Sequence, residues 1–161
     1  MKLPVVKYPD PILSRKSLPV KEIDEEVKKL AQDMLETMVA EKGIGISAVQ
    51  VGVLKRIMIV SVRKGSFDPN LYPEIMVNPK IVSKDGFQCI GEGCLSFPGL
   101  SVPVRRYDTL EVQYENLDGE TQRAILQGLE SICFQHELDH LDGVVFINKS
   151  SGGGLSGKIN I

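Results

Sequence analysis

Gln135-His136-Glu137-Leu138-Asp139-His140-Leu141-Asp142-Gly143 is the stretch around which the 161-residue chain is organised. It contains His-Glu-x-x-His. On a helix, residues four apart share a face, so the imidazoles of His136 and His140 can hold one metal ion. Glu137 falls at the edge of that face, beside the water a bound metal would carry. The chain has two histidines, and both are in this motif. A lone histidine is more often structural than functional, but the full five-residue pattern on a plausible helix is more specific.

Two histidines do not complete a catalytic site, which takes three protein ligands and leaves a position for water. Many His-Glu-x-x-His peptidases find the third ligand downstream. After His140 this sequence shows no histidine, cysteine or glutamate, and its one carboxylate, Asp142, points off the helix face. The third ligand is therefore sought upstream. Among the cysteines, Cys89 lies in a loop-like stretch, and Cys133 suits a small buried thiol in a pocket wall. Cys94, in Glu92-Gly93-Cys94-Leu95-Ser96, is the preferred ligand over Cys133. A thiolate with two imidazoles suits zinc or ferrous iron.

The length fits one domain with a real core. A hydrophobic fraction of 42%, a charged fraction of 25% and a net charge of −2 are those of a soluble globular protein. Basic residues are scattered, which argues against nucleic acid, and no stretch reads as a membrane span or a signal peptide. An odd cysteine count without an export signal points to reduced thiols in a cytosol-like compartment.

Val5 to Ser17, with Pro9 and Pro11, reads as an irregular arm. An amphipathic helix follows, capped by Asp24, with Val27, Leu30, Ala31, Met34, Leu35, Met38 and Val39 at helical spacing and Lys42 and Gly43 at its end. Gly43 to Gln50 matches the G-x-G-x-x-A dinucleotide pattern. A helix precedes it and β-rich sequence follows, the reverse of what that fingerprint needs. It reads instead as a turn feeding a strand, or as backbone lying against a ligand with Gln50 aimed inward. Ile57–Val62 is a buried-strand candidate and 65–73 a loop. Short strands are expected at 75–79, 80–83, 100–104 and 109–115. Asn116-Leu117-Asp118-Gly119 is a hairpin turn, with a return strand at 121–126. The fold class is α+β: mostly antiparallel β-sheets packed around a central metal-binding helix, with the N-terminal amphipathic helix beside them. Residues 1–149 form one catalytic domain, and 150–161 a Gly/Ser-rich tail whose last four residues could add a strand.

Three stretches, Gly43–Gln50, Glu92–Ser96 and Gln135–His140, together resemble the three motifs of the peptide deformylases, in order and at familiar spacing. The resemblance runs from about Val5 to Phe146. Ser47 stands where the family commonly has alanine. The tail stands where many bacterial members carry a long basic helix, which weakens any expectation of transient ribosome contact.

The resemblance implies hydrolysis of the N-formyl group from formylmethionyl nascent peptides, releasing formate. It implies one divalent metal held by Cys94, His136 and His140: Fe2+ in cells, with Zn2+, Ni2+ or Co2+ able to replace it. Ile44, Ile90, Leu129, Ile132 and Cys133 would line the methionine pocket, and Gly45 and Gly91 would pair with the peptide backbone. Glu137 would move the proton, while the Gln50 amide and Leu95 N–H would face the formyl oxygen. One such donor is worth roughly 3–4 kcal/mol of transition-state stabilisation. The implied location is the cytoplasm, or an organelle after transit-peptide removal. The alternative is a metalloendopeptidase, from His-Glu-x-x-His alone. Asp139, two positions after Glu137, is expected to be structural, and Arg106 is its expected partner in a fork-like pair.

Overall fold

The computed structural model describes residues 1–62, 69–145 and 158–161. In chain order its elements are α1 (Glu25–Ala40), β1 (Gly45–Ser47), β2 (Ile57–Val62), β3 (Pro69–Cys94), β4 (Phe97–Glu115), β5 (Thr121–Gln127), α2 (Leu129–Leu141) and β6 (Lys158–Asn160). Short 3-10 helices lie at Pro11–Ser14 and Ala48–Val51. Strands β1 to β5 pair antiparallel in chain order, and β6 adds to β3 in parallel. The architecture is α+β.

β2 explains how two helices share one sheet. Successive strand side chains point to opposite faces. Met58, Val60 and Val62 join the cluster containing Ile132, Phe134 and Leu141 of α2. Ile57 and Ile59 join the cluster containing Val27, Met34 and Met38 of α1. The strand is buried on both faces, which is why it reads as an apolar run interrupted by Ser61 alone. Each buried aliphatic side chain contributes roughly 1.5–3 kcal/mol.

α1 begins at Asp24, whose carboxylate accepts a 2.9 Å bond from the Val27 N–H. At its other end Lys42, not Gly43, takes the left-handed conformation, with φ 58°. Gly43 contributes its backbone, donating to Met38 O at 3.0 Å.

The short strands expected at 75–83 and 100–115 are stretches of two long ones, β3 and β4. Register shifts between Val77 and Lys80 and between Ile81 and Ser83 break the alternation, so the sequence reads as separate pieces. Asn78 sits in the first irregularity at φ 52°. Its side chain exchanges two 2.8 Å bonds with Val20, tying the N-terminal segment to the sheet. The loop expected at 65–73 is strand from Pro69 onward, and its earlier part lies outside the described residues. Cys89 is in β3 opposite Arg105 rather than in a loop. Of the tail, 150–157 lies outside the described residues. β6 pairs with Gly91–Gly93, and Ile161 is buried in the α2-side cluster.

Candidate metal centre

The site starts from how α2 is held. Gln135 behaves as a short piece of strand. Its Oε1 accepts from Tyr107 N–H at 2.9 Å, and its Nε2 donates to Tyr107 O at 2.8 Å. Ser131 Oγ also donates to Tyr107 O at 2.8 Å. At the C-terminus, Arg56 donates to Leu141 O at 3.0 Å and pairs with Asp142 at 2.8 Å. Gly143 follows at φ 73°, and a Cβ there would lie 2.7 Å from Ser14 O, so only glycine fits. With both ends anchored, Ser131 to Glu137 and His140 are buried on several sides.

β3 ends at Cys94, and the turn to β4 delivers its sulfur to α2. Sγ of Cys94 lies 3.3 Å from His140 Nε2, which lies 3.2 Å from His136 Nε2. The three donor atoms fall within 4.8 Å of one another, and all three residues are buried. Burial drives the His140 imidazole well below its ordinary range, and the neighbouring His136 adds to this. Burial also opposes charge on His136, but Cys94 and Glu92 raise it to about 10. Two imidazoles this close accommodate a single positive charge. A soft sulfur and two imidazole nitrogens converging on one point fit a divalent metal ion, which would take the place of the imidazole proton.

Glu137 lies beside this group. Burial pushes its carboxyl up to about 7, against the pull of His136 and of a 2.9 Å bond from Ser47 Oγ to Oε1. Its other oxygen, Oε2, is buried with no hydrogen-bond partner among the described residues. Gln50, on the 3-10 helix after β1, is also buried. Its Nε2 is 3.5 Å from Cys94 Sγ and 3.2 Å from Ser96 Oγ. Leu95 occupies the turn between β3 and β4, its carbonyl taking a 3.0 Å bond from Lys7 Nζ.

Ile44, Ile132 and Cys133 belong to one buried cluster, against which Ile90 and Leu129 pack. Burial pushes the Cys133 thiol well up, and it donates to Ile44 O at 3.4 Å. Its Sγ is absent from the group of converging donors. Gly45 pairs with Val60, and Gly91 pairs with Pro103 and with Lys158 of β6.

Residues 2–154 match the family described as polypeptide deformylase. The chain belongs to that family. A peptide deformylase of Acidobacterium capsulatum is 44% identical over 149 residues, 92% of this chain and 86% of the relative. The crystal structure of the Thermotoga maritima peptide deformylase superposes with a TM-score of 0.87 at 35% identity, covering 94% of this chain and 99% of that one. A class I type b peptide deformylase of Acinetobacter baumannii with Met-Ala-Ser bound superposes at 0.86 with 34% identity, covering 92% and 98%.

The protein is thus a metal-dependent deformylase acting on formyl-Met nascent peptides, and the endopeptidase alternative is not favoured. One residue of this deformylase escaped the sequence reading. Glu92 is fully buried, and its Oε1 meets His136 Nδ1 at 2.9 Å. Such a contact orients a ligating imidazole and fixes its tautomer. Burial alone would push Glu92 up, but Arg106 and His136 hold it below its usual range. The signal was its place two residues before Cys94. What was missing was the tertiary packing by which the Arg106 side chain, from a β4 position opposite Gln88, and His136 of α2 both reach it.

Proposed function

We propose that Cys94, His136 and His140 hold the metal, and that Fe2+ is the ion in cells, with Zn2+, Ni2+ or Co2+ able to replace it. The observation that carries this is the convergence of one sulfur and two imidazole nitrogens beside Glu137 Oε2, which has no partner among the described residues. A metal bound there would supply a Lewis acid that lowers the pKa of water to about 7. α2 is then the central metal-binding helix and α1 the amphipathic helix on the other side of β2. Residues 1–149 form the catalytic domain and 150–161 the tail.

Glu137 takes the proton of the attacking water and delivers it to the leaving nitrogen. Its raised pKa suits both halves of that task. The Gln50 amide and the Leu95 N–H meet the charge growing on the formyl oxygen. Ile44, Ile90, Leu129, Ile132 and Cys133 receive the methionine side chain, and Gly45 offers backbone to the peptide, as does Gly91 once β6 leaves the edge on which it pairs with Lys158. That the Acinetobacter relative has Met-Ala-Ser bound supports a peptide beginning with methionine as the ligand. No helix among the described residues is long and apolar enough to cross a membrane. The proposed substrate, a nascent peptide, is the ground on which we assign the enzyme to the cytoplasm or an organelle interior.

The test is formate release from a formyl-Met peptide by protein purified without oxygen, with elemental analysis of the same sample. Near one equivalent of metal and loss of turnover on chelation are expected. Turnover undiminished after complete metal removal refutes the assignment.

A further inference from the structure

Ser47 closes β1 and is completely buried. Its hydroxyl lies 2.9 Å from Glu137 Oε1 and 2.9 Å from the backbone oxygen of the same residue. Its N–H donates to Gln50 Oε1 at 3.0 Å. One residue therefore touches both the proposed proton carrier and the proposed oxyanion donor, through different atoms. The two oxygens of Glu137 are in unlike surroundings. Oε1 is held by the hydroxyl, whereas Oε2 is buried, lacks a partner among the described residues and faces Gly45. A Cβ on Gly45 would stand 2.5 Å from Oε2, so the glycine keeps open the space on that side.

We infer that Ser47 is a positioning residue, whose hydroxyl anchors Glu137 Oε1 so that Oε2 alone carries the proton in deformylation. The inference rests on the assignment of Glu137 as the proton carrier. Water gives a proton to Oε2 as its oxygen bonds to the formyl carbon. The C–N bond then breaks, Oε2 returns that proton to the nitrogen, and formic acid and a free amine leave. Glu137 ends as it began. A carboxylate free to rotate about its last torsion would present Oε2 correctly only part of the time.

Ser47→Ala separates this role from that of the Gln50 contact, because alanine keeps the backbone N–H. Loss of one hydrogen bond to a charged group predicts about a tenfold or greater fall in kcat, with KM within about twofold. Metal content stays at the wild-type level. In a crystal structure of the variant, Glu137 leaves its single orientation or splits between two. Ser47→Thr, which restores the hydroxyl, recovers most of kcat. If Ser47→Ala does not fold, Ser47→Cys, a weaker donor, takes its place with an intermediate kcat expected. An unchanged kcat in the folded, metal-loaded variant overturns the inference. So does a fall in kcat with Glu137 unmoved in the crystal. Glu137→Gln is measured in parallel: if it keeps its metal and near-normal turnover, the proton-carrier assignment itself has failed, and the role of Ser47 with it.

Discussion

Arg106 donates two parallel 2.9 Å hydrogen bonds to Glu92, from Nε to Oε2 and from Nη2 to Oε1. Its remaining terminal nitrogen, Nη1, reaches Asp139 Oδ2 at 2.5 Å. Asp139 thus has the partner expected of it, but the fork belongs to Glu92. The result is a buried relay in which β4 grips the end of β3 and both meet α2 at His136 and Asp139.

Removing Arg106 takes the guanidinium partner from the buried Glu92 carboxylate and leaves it only the His136 contact among the described residues, and breaking such a buried pair costs about 3–5 kcal/mol. Arg106→Ala is expected to lower thermal stability by that amount and to weaken metal retention. Asp139→Asn, with its side chain 14% exposed, costs less. The double variant falls short of the sum of the two singles, and strict additivity in thermal melts refutes the shared network. The sign of the pH effect follows from the lowered Glu92 pKa. Its contribution is present above the unfolded carboxylate range and is lost as pH falls through the folded value. The gap between wild type and Arg106→Ala is therefore widest at neutral pH and narrows below about pH 4.

Cys94→Ala is expected to lose most bound metal. Cys133→Ala keeps it, because Cys133 Sγ is turned to Ile44 O and lies outside the donor group. Metal analysis of the two purified variants decides the matter, and the reverse pattern would make Cys133 the ligand.

Gly45→Ala places a Cβ 2.5 Å from Glu137 Oε2 and 2.7 Å from Cys133 Sγ. Both neighbours are side-chain ends, so the fold gives way there rather than in the backbone. A fall in kcat of about 10²-fold or more, the scale set by losing general acid–base catalysis, is expected alongside a thermal shift of only a few degrees. Wild-type turnover would show that the space beside Oε2 is not needed.

Truncation after Lys149 removes β6 from Gly91–Gly93 and Ile161 from the cluster holding Ile44, Ile132 and Cys133. Those are the groups proposed to receive substrate. The truncated protein is therefore expected to bind a formyl-Met peptide more tightly, with a lower KM and kcat within about twofold, the span of losing contacts that act on binding alone. A higher KM would show that the tail supports the pocket instead.

Much of the candidate site was readable in one dimension because helical geometry is local. His136, Glu137 and His140 are brought together by spacing alone, and the periodicity of α1 and its Asp24 cap need no partner to be recognised. β2 was equally plain, since a strand covered on both faces is apolar at most positions, here all but Ser61. The extent of β3 and β4 was not. Their bulges interrupt the alternation, and only pairing with a neighbour shows that strand continues through them.

The sequence by itself therefore determined the chemistry available here: a helical pair of imidazoles with an adjacent carboxylate, cysteines upstream, and an α+β chain to carry them. The tertiary structure alone decided which groups meet. Cys94 is 46 residues from His140 in sequence, and Glu92 is 44 from His136. No local rule spans such distances. The register of β3 on β4 and the seat of α2 against the sheet select Cys94 over Cys133 for the donor group, place Glu92 behind His136, and set Ser47 against Glu137.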